Sequence, residues 1–407
     1  MSTNKPLVGI KVIELGQLIA GPFAGKMLAE FGAEVIKIEA PAADGQPGGD
    51  PLRQWRKLHK GTSLWWYAQA RNKKSVTVNL RLAEGQEIVR TLSRDADVVI
   101  ENFRPGTMEK WGLGYECLAA ENPGLIMLRL SGFGQTGPYR DQAGFGAIGE
   151  SMGGLRYLTG YPDQAPVRPN LSIGDSLASL HGVIGVMMAL HHRNMNGGRE
   201  SGKGQVVDVA LYEAVFAMLE STLPEFDLYG IVRERSGSNL SGIVPSNTYL
   251  AKDGQHVLIA ANGDSIFKRL CTAMGRDDLG NDPTLADNAG RAKRASELDA
   301  AIGGWAAEHD AAELLVLLDE AQVPSGKIYS IADIAQDPQY LAREMIRQFT
   351  LGDGTPLKLP GIVPKLSETP GDVNWIGPEL GAHTDEVLVA HGYDAASIAA
   401  LRKKKVI

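Results

Sequence analysis

The chain reads as an α/β protein with a mostly parallel sheet covered by helices on both faces. Strand-like and helical runs alternate from Gly9 onward, the pattern that parallel sheets leave in sequence. At 407 residues the chain is long enough for a large core and for roughly two or three domains. Its 43% hydrophobic and 22% charged residues are those of a globular protein, not of a disordered one.

Taken in order, GIKVIEL (Gly9 to Leu15) predicts the first strand. GPFAGKMLAEFG follows as a helix with Pro22 in its first turn, where a missing N–H is tolerated, and AEVIKIEA completes a βαβ unit. Ser75 to Leu80, Val98 to Phe103 and Leu125 to Ser131 predict further strands, with a helix from Glu84 to Arg94 between the first two. A long apolar helix opens near Asp175, where Leu177, Leu180, Val183, Ile184 and Met187 keep helical spacing. The polar connector NMNGGRESGKG leads to the strand QVVDVAL and the helix YEAVFAMLEST. From Gly242 to about Pro324 the pattern shifts to two short strands around HVLIAA and several helices, including DAAELLVLLDEA, which predicts a smaller second domain. Near the C-terminus TLGDGTPLKL predicts a hairpin turning on its Asp-Gly pair, and one or two helices follow.

A net charge of −7 gives the whole chain no cationic field for general nucleic-acid binding. The opening MSTNKPLVGI lacks the apolar core of a secretory signal. The most apolar helix, around Val183 to Leu190, is interrupted by glycine and followed by His191 and His192. It is therefore expected to fall short of the ~18 apolar residues of a membrane span and to be a core helix. Only Cys117 and Cys271 occur, without a CxxC pair, so a reducing compartment, the cytoplasm, is the expected location. No spacing of His, Cys and acids predicts a metal, and RKKK near the C-terminus reads as a solvated tail.

Three features carry chemistry. GFGQTG (Gly132 to Gly137) follows a strand and satisfies G-x-G-x-x-G, which raises a nicotinamide-dependent oxidoreductase. Pro138 and Tyr139 then lead into more glycine-rich loop where a dinucleotide site needs a helix N-terminus. These glycines offer close backbone approach to a thioester or phosphate, or simply a surface loop. Basic residues cluster at RNKK (Arg71 to Lys74), at Arg81, and at Arg104 and Lys110; they read either as phosphate contacts at strand ends or as solvated surface. Asp175, after Gly174, reads either as an ordinary N-cap or as a carboxylate kept ionised by a helix N-terminus.

In addition, the runs GIKVIELGQLIAGPFAGKMLAEFGAEVIKIE, RNKKSVTVNLR, VIENFRPGTMEKWGL, RLSGFGQTGP, IGDSLASLHG, GKGQVVDVAL and GAHTDEVL stand in the order of one family's landmarks. On these residues the chain resembles the class III CoA-transferases, the family of formyl-CoA transferase and carnitine CoA-transferase, nearly end to end. The resemblance implies that Asp175 is the catalytic nucleophile, cycling through aspartyl anhydrides and an aspartyl-CoA thioester. It implies that Arg81 and Lys110 serve the nucleotide end of CoA, that Asn102, Phe103 and Arg104 line its cleft, and that Ala20, Leu80, Gly132 and Phe133 are neighbouring CoA positions. No tightly bound cofactor is implied; coenzyme A thioesters are the substrates. The implied fold is a Rossmann-like large domain made of both chain ends (1–225 and 330–407) with a smaller α+β domain at 226–329, in an interlocked homodimer.

Against formyl-CoA transferase, a glutamine is replaced by Ile19, an arginine by Ala40 and a lysine by Ser131, which points away from formate and oxalate. The long glycine lid of that enzyme is missing, and SGSNLSG (Ser236 to Gly242) is the segment that could gate instead. The likeness leans toward members that use succinyl-CoA with dicarboxylates, whose second carboxylate an arginine fork at Arg53, Arg56 or Arg168 could bind. The nearest rival is an acyl-CoA racemase of the same fold, but where those relatives carry a histidine after a glycine, QAGFGA places Phe145.

Overall fold

The computed structural model describes residues 5–43, 45 and 47–407. The chain forms two compact units, one from the stretch ending at Leu155 with Pro169–Tyr229 and Glu344–Ile407, the other from Arg156–Arg168 and Gly230–Arg343. These bounds differ from breaks at 225/226 and 329/330, because the second unit keeps the chain to Arg343 and takes in a turn-rich excursion at 156–168 that no periodicity marks.

The larger unit is built on strands β1 (Lys11–Glu14), β2 (Glu34–Glu39), β3 (Lys73–Thr77), β4 (Val98–Glu101), β5 (Ile126–Ser131) and β6 (Val206–Ala210). They lie in the order β3-β2-β1-β4-β5-β6, every neighbouring pair parallel. That is the doubly wound order, in which winding reverses between β1 and β4 and leaves a crevice at the carboxyl ends of the strands. Successive strand residues feed opposite faces. Val12, Val35, Val98 and Leu128 pack on one side with the helices α1 (Ala20–Glu30) and α6 (Ile173–Met195). Ile13, Ile36, Val99 and Met127 pack on the other, where a helix at Ala83–Ser93 (α3) covers them. Between these lie α2 (Leu64–Gln69), α4 (Thr107–Lys110) and α5 (Gly146–Met152).

The helix α6 (Ile173–Met195) corrects an expectation. At 23 residues and a mean hydropathy of 1.5 it is long and apolar enough, by length and composition, to cross a membrane. Its glycines do not interrupt it; Gly182 and Gly185 lie against Leu128 and Val207 of the sheet. It nevertheless has the contacts of a core helix, packing on β5, β6 and α1, with Ala178 and Val186 fully buried and Arg193 paired with Asp97 at 2.8 Å.

In the smaller unit the antiparallel strands β7 (Ser246–Leu250), β8 (His256–Ala260) and β9 (Ser325–Lys327) follow the order β9-β8-β7. They pack through Tyr249, Val257 and Ile259 on Leu270, Ile302 and Leu314 of its helices. The strand β9, Ser-Gly-Lys, has no apolar alternation and was not legible. The expected hairpin forms from β10 (Ile346–Thr350) and β11 (Pro356–Pro360) in the larger unit.

A buried charge network anchors the start of the larger sheet. Glu14, fully buried at the end of β1, lies 3.3 Å from Lys37 of β2 and 2.7 Å from Lys73 of β3. Lys37 also pairs with Asp50 at 2.8 Å and donates to the Gly16 carbonyl, while Lys73 donates to the Pro22 carbonyl at 2.6 Å. Asp50 in turn accepts the backbone N–H of Leu18 at 3.0 Å and of Leu52 at 2.9 Å. Burial alone would lower the Lys37 ammonium, but Asp50, Glu14 and Glu39 hold it above the ordinary lysine range. In Lys73 burial prevails, against Glu14 and reinforced by Lys37, and its pKa is lowered. The room for Glu14 comes from Gly25 of α1, where an added Cβ would lie 1.8 Å from Glu14 Oε2. Gly25→Ala is therefore expected to cost about 1–3 kcal/mol through overpacking, measured by urea denaturation; a wild-type midpoint would show that the network yields without loss.

Candidate functional site

The loops after the carboxyl ends of the parallel strands carry most of the residues singled out in the sequence. Ala20 opens α1 after β1, Leu80 and Arg81 follow β3, Asn102, Phe103 and Arg104 follow β4, Lys110 ends α4, and Gly132 and Phe133 follow β5. Asn102 stands at the winding reversal, where it clasps the backbone of Gln17: its Oδ1 accepts the Gln17 N–H at 2.7 Å and its Nδ2 donates to the Gln17 carbonyl at 2.9 Å. Leu80 and Phe103 share one apolar cluster with Trp111, whose ring meets Phe103 edge-on at 5.2 Å. Gly132 abuts Gly144 backbone to backbone, and Phe133 packs between Tyr139 and Tyr212 at 6.0 and 6.4 Å.

Asp175 is not an N-cap. The helix starts at Ile173 with Ser172 in the cap position, so Asp175 is the third helical residue, partly buried in the first turn. A carboxylate there still benefits from the positive end of the helix. Its neighbours allow very little bulk: a Cβ on Gly146, the first residue of α5, would lie 2.0 Å from Asp175 Oδ2. Only glycine permits that approach. Behind it, the Gly174 N–H points to buried Glu150 at 3.4 Å. One turn further along α6, Ser179 Oγ donates to the Ala20 carbonyl at 2.7 Å, which ties the turn of Asp175 to the start of α1. Phe145, just before Gly146, is 69% exposed and offers no acid or base.

The basic clusters separate into two kinds. Those of RNKK are committed internally: Arg71 to Glu30, Lys73 to Glu14, and Lys74 to Glu34 and Glu386 at 2.8 and 2.7 Å. Arg81, Arg104 and Lys110 are exposed, and among the described residues none has a side-chain hydrogen bond or ion pair. Of the arginines considered for a second carboxylate, Arg53 is unavailable. It is buried, grips Glu39 through two 2.8 Å bonds and stacks 3.7 Å from the Trp66 ring centre. Arg168 belongs to the smaller unit, as does the Ser236 to Gly242 segment, held by Ser238 to Asn247 at 2.6 Å. Arg56 lines a cavity of about 660 Å³ that also borders Ile19, Lys26, Trp65, Ser172 and Ser176.

A second set of charges, not recognised in the sequence, fixes the site loops. Glu101, Arg129 and Asp208 are register partners across β4, β5 and β6, so their side chains share one face. Arg129 bonds Glu101 at 2.8 Å and reaches Glu109 of α4 at 2.7 and 3.2 Å. Glu101 also accepts the Phe103 N–H at 2.7 Å, and Asp208 accepts the Gln135 N–H at 3.0 Å. The segment bearing Phe103 and Arg104, the helix bearing Lys110 and the glycine loop are thus tied to one rung. Burial pushes the Glu101 carboxyl above the usual range despite Arg129. The signal was a charge inside each apolar strand run: VVIE, IMLRLS and VVDVA.

Residues 7–384 match the model of CoA-transferase family III. Among curated proteins, the chain is 49% identical to the succinyl-CoA–D-citramalate CoA-transferase of Chloroflexus aurantiacus, over 99% of this chain and 98% of that protein. It is 41% identical to the beta subunit of succinyl-CoA–L-malate CoA-transferase from the same organism, over 100% of this chain and 99% of that one. Among solved structures it resembles a CAIB/BAIF family protein from Brucella suis, with a TM-score of 0.81 and 34% identity, covering 96% of this chain and all of that one.

Removing the guanidinium from the rung strands a buried carboxylate. Arg129→Met is expected to destabilise the protein by about 3–5 kcal/mol at neutral pH. The loss should shrink as pH falls and Glu101 takes up a proton, as read by urea unfolding across pH.

Proposed function

The chain belongs to CoA-transferase family III, and from that premise we propose that it moves CoA from succinyl-CoA to a dicarboxylic acid, with the Asp175 carboxylate as nucleophile. The observation that carries this reading is the placement of Asp175 in the first turn of α6, with its carboxylate against the backbone of Gly146 at the start of α5. Asp175 attacks the donor thioester carbonyl, forming a mixed anhydride and releasing the CoA thiolate. The thiolate attacks the aspartyl carbonyl, giving an aspartyl-CoA thioester and the free donor acid. The acceptor carboxylate attacks that thioester, and the released thiolate then attacks the acceptor carbonyl of the new anhydride, restoring Asp175. Each step forms a tetrahedral oxyanion, which backbone N–H groups of the neighbouring glycine-rich segment can stabilise.

CoA lies along the carboxyl edge of the sheet in this reading. From Arg81 after β3 to Phe133 after β5 the edge spans four strand spacings, about 19 Å, suited to an extended thioester. Exposed Arg81 and Lys110 supply cations for its phosphates, and Leu80, Asn102, Phe103 and Arg104 line the way to Ala20, Gly132 and Phe133. Relatives whose names specify succinyl-CoA with citramalate or malate support the choice of donor and of a dicarboxylate acceptor. The same proposal includes a cytoplasmic homodimer. It is supported by free Cys117 and Cys271 and by the apolar side chains that α6 leaves exposed, Ile184 at 51% and Met188 at 67%.

Asp175→Ala is expected to lose transfer by on the order of 10⁴-fold while retaining its fold and its affinity for CoA. Hydroxylamine added during turnover should mark the peptide containing Asp175 in the active protein; product formation without that mark rejects the mechanism. Arg81→Ala and Lys110→Ala are each expected to raise KM for the acyl-CoA and leave KM for the acid unchanged in steady-state assays.

A further inference from the structure

The cavity beside the turn of Asp175 contains a cation without a close partner. Lys26 lies on α1, and its ammonium sits 4.2 Å from the centre of the Phe23 ring, back toward the start of the helix. That start is the end tied by Ser179 to the turn of Asp175. The Lys26 side chain is 15% exposed, and its nearest carboxylate, Glu30, is 3.9 Å away, beyond hydrogen-bond length. Glu30 is already bound by Arg71, itself buried. Among the described residues no oxygen accepts a hydrogen bond from Lys26.

The surrounding wall is largely apolar: Ile19, Phe23, Met27, Leu171 and Ile173, with the Arg56 guanidinium 5.1 Å from the Trp65 ring centre as the second available cation. Glu30, which also lines the cavity, is the counter-charge nearest this ammonium, and because Arg71 already binds it, it only partly offsets the lost hydration. Burial pushes its pKa down to about 8, with Glu30 opposing and Arg71 and Lys73 reinforcing. An anion entering the cavity past Ser172 and Ser176, which flank Asp175 in sequence, would supply further charge and the missing acceptor.

We propose that Lys26, with Arg56 at the far wall, binds the second carboxylate of the dicarboxylic acid whose first carboxylate reacts at Asp175. The succinyl group of the donor and the acceptor acid occupy this subsite in turn. The inference rests on the transferase reading and names the residue that selects dicarboxylates over monocarboxylates.

Two measurements on the full protein test it. In steady-state assays, Lys26→Met should raise KM for the dicarboxylic acid on the order of 10- to 100-fold. Lys26→Arg should restore most of the loss, and the inhibition constant of free CoA, added as a dead-end competitor of the acyl-CoA, should not move; an unchanged acid KM in Lys26→Met overturns the proposal. In the second, limiting acetic anhydride is applied with glutarate, with propionate or with neither, and Lys26 acetylation is read by mass spectrometry. Protection by glutarate alone is expected. A Lys26 that never reacts is covered by a second copy or another segment, and a Lys26 equally reactive in all three binds no dicarboxylate; either result overturns the subsite. Labelling is repeated in Asp175→Ala, where protection persists if the subsite is right. Protection without any CoA transfer by the wild-type protein would keep the subsite and remove the transferase chemistry.

Discussion

A carboxylate shut away from water governs the larger unit. Glu14 ends β1, and lysines from the next two strands converge on it, Lys37 tied onward to the loop between β1 and α1 and Lys73 to the first turn of α1. Any one of these groups left alone in the interior would cost several kcal/mol, so they form together. Their formation fixes the loop at the place where the sheet reverses its winding. From there the constraint passes outward: Gln17 is clasped by Asn102, and Ala20 is held by Ser179, one turn beyond Asp175. The turn that carries Asp175 is thus positioned from below by charges enclosed in the interior.

The same arrangement recurs along the sheet. Glu39 holds Arg53, Glu101 and Glu109 share Arg129, and Asp208 holds the loop of Gln135. In each case a charged group on a strand is paired with a charge or a backbone N–H from a loop or short helix at the sheet edge, so these segments are stiffened by pairs that are already satisfied. Outside this scheme stand, among others, Arg81, Arg104 and Lys110 on the edge, and Lys26 and Arg56 at their cavity. The protein thus separates charges that build from charges that can bind, and the separation is made by burial, not by residue type.

Much of the sheet was legible because period and punctuation are local. The βαβ opening, the strands before Arg81, Asn102 and Gly132, and the hairpin at Asp353 and Gly354 all follow from patterns a few residues long. Partnership is not local. Nothing near RNKK tells that Lys73 meets Glu14 and that Arg71 meets Glu30, so one basic run looked like another. Strand β9 carries no apolar alternation, and α6 begins two residues before Asp175, which removed the capping explanation. One signal stood in plain view: a buried parallel strand should be apolar, and Glu14, Lys37 and Arg129 interrupt such strands. Asp175 itself was singled out by family likeness, and neither its helical spacing nor its charge distinguished it from a cap.

The path of the chain bears on how it is made. It leaves the larger unit after Leu155 and Tyr229 and regains it at Pro169 and Glu344. The last of these returns brings Val387, Leu388, Ile398 and Val406 to the sheet face that Ile13 and Val99 begin, and the Val406 carbonyl receives the Asn79 N–H at 2.7 Å. On the ribosome α3 can cover part of that face early, but the part that Val387 to Val406 cover stays open from the emergence of β4 until nearly three hundred further residues have been added, on the order of 15–60 s. Nascent chains on neighbouring ribosomes can meet through it during that interval, so crowded translation is a condition that exposes this protein to aggregation.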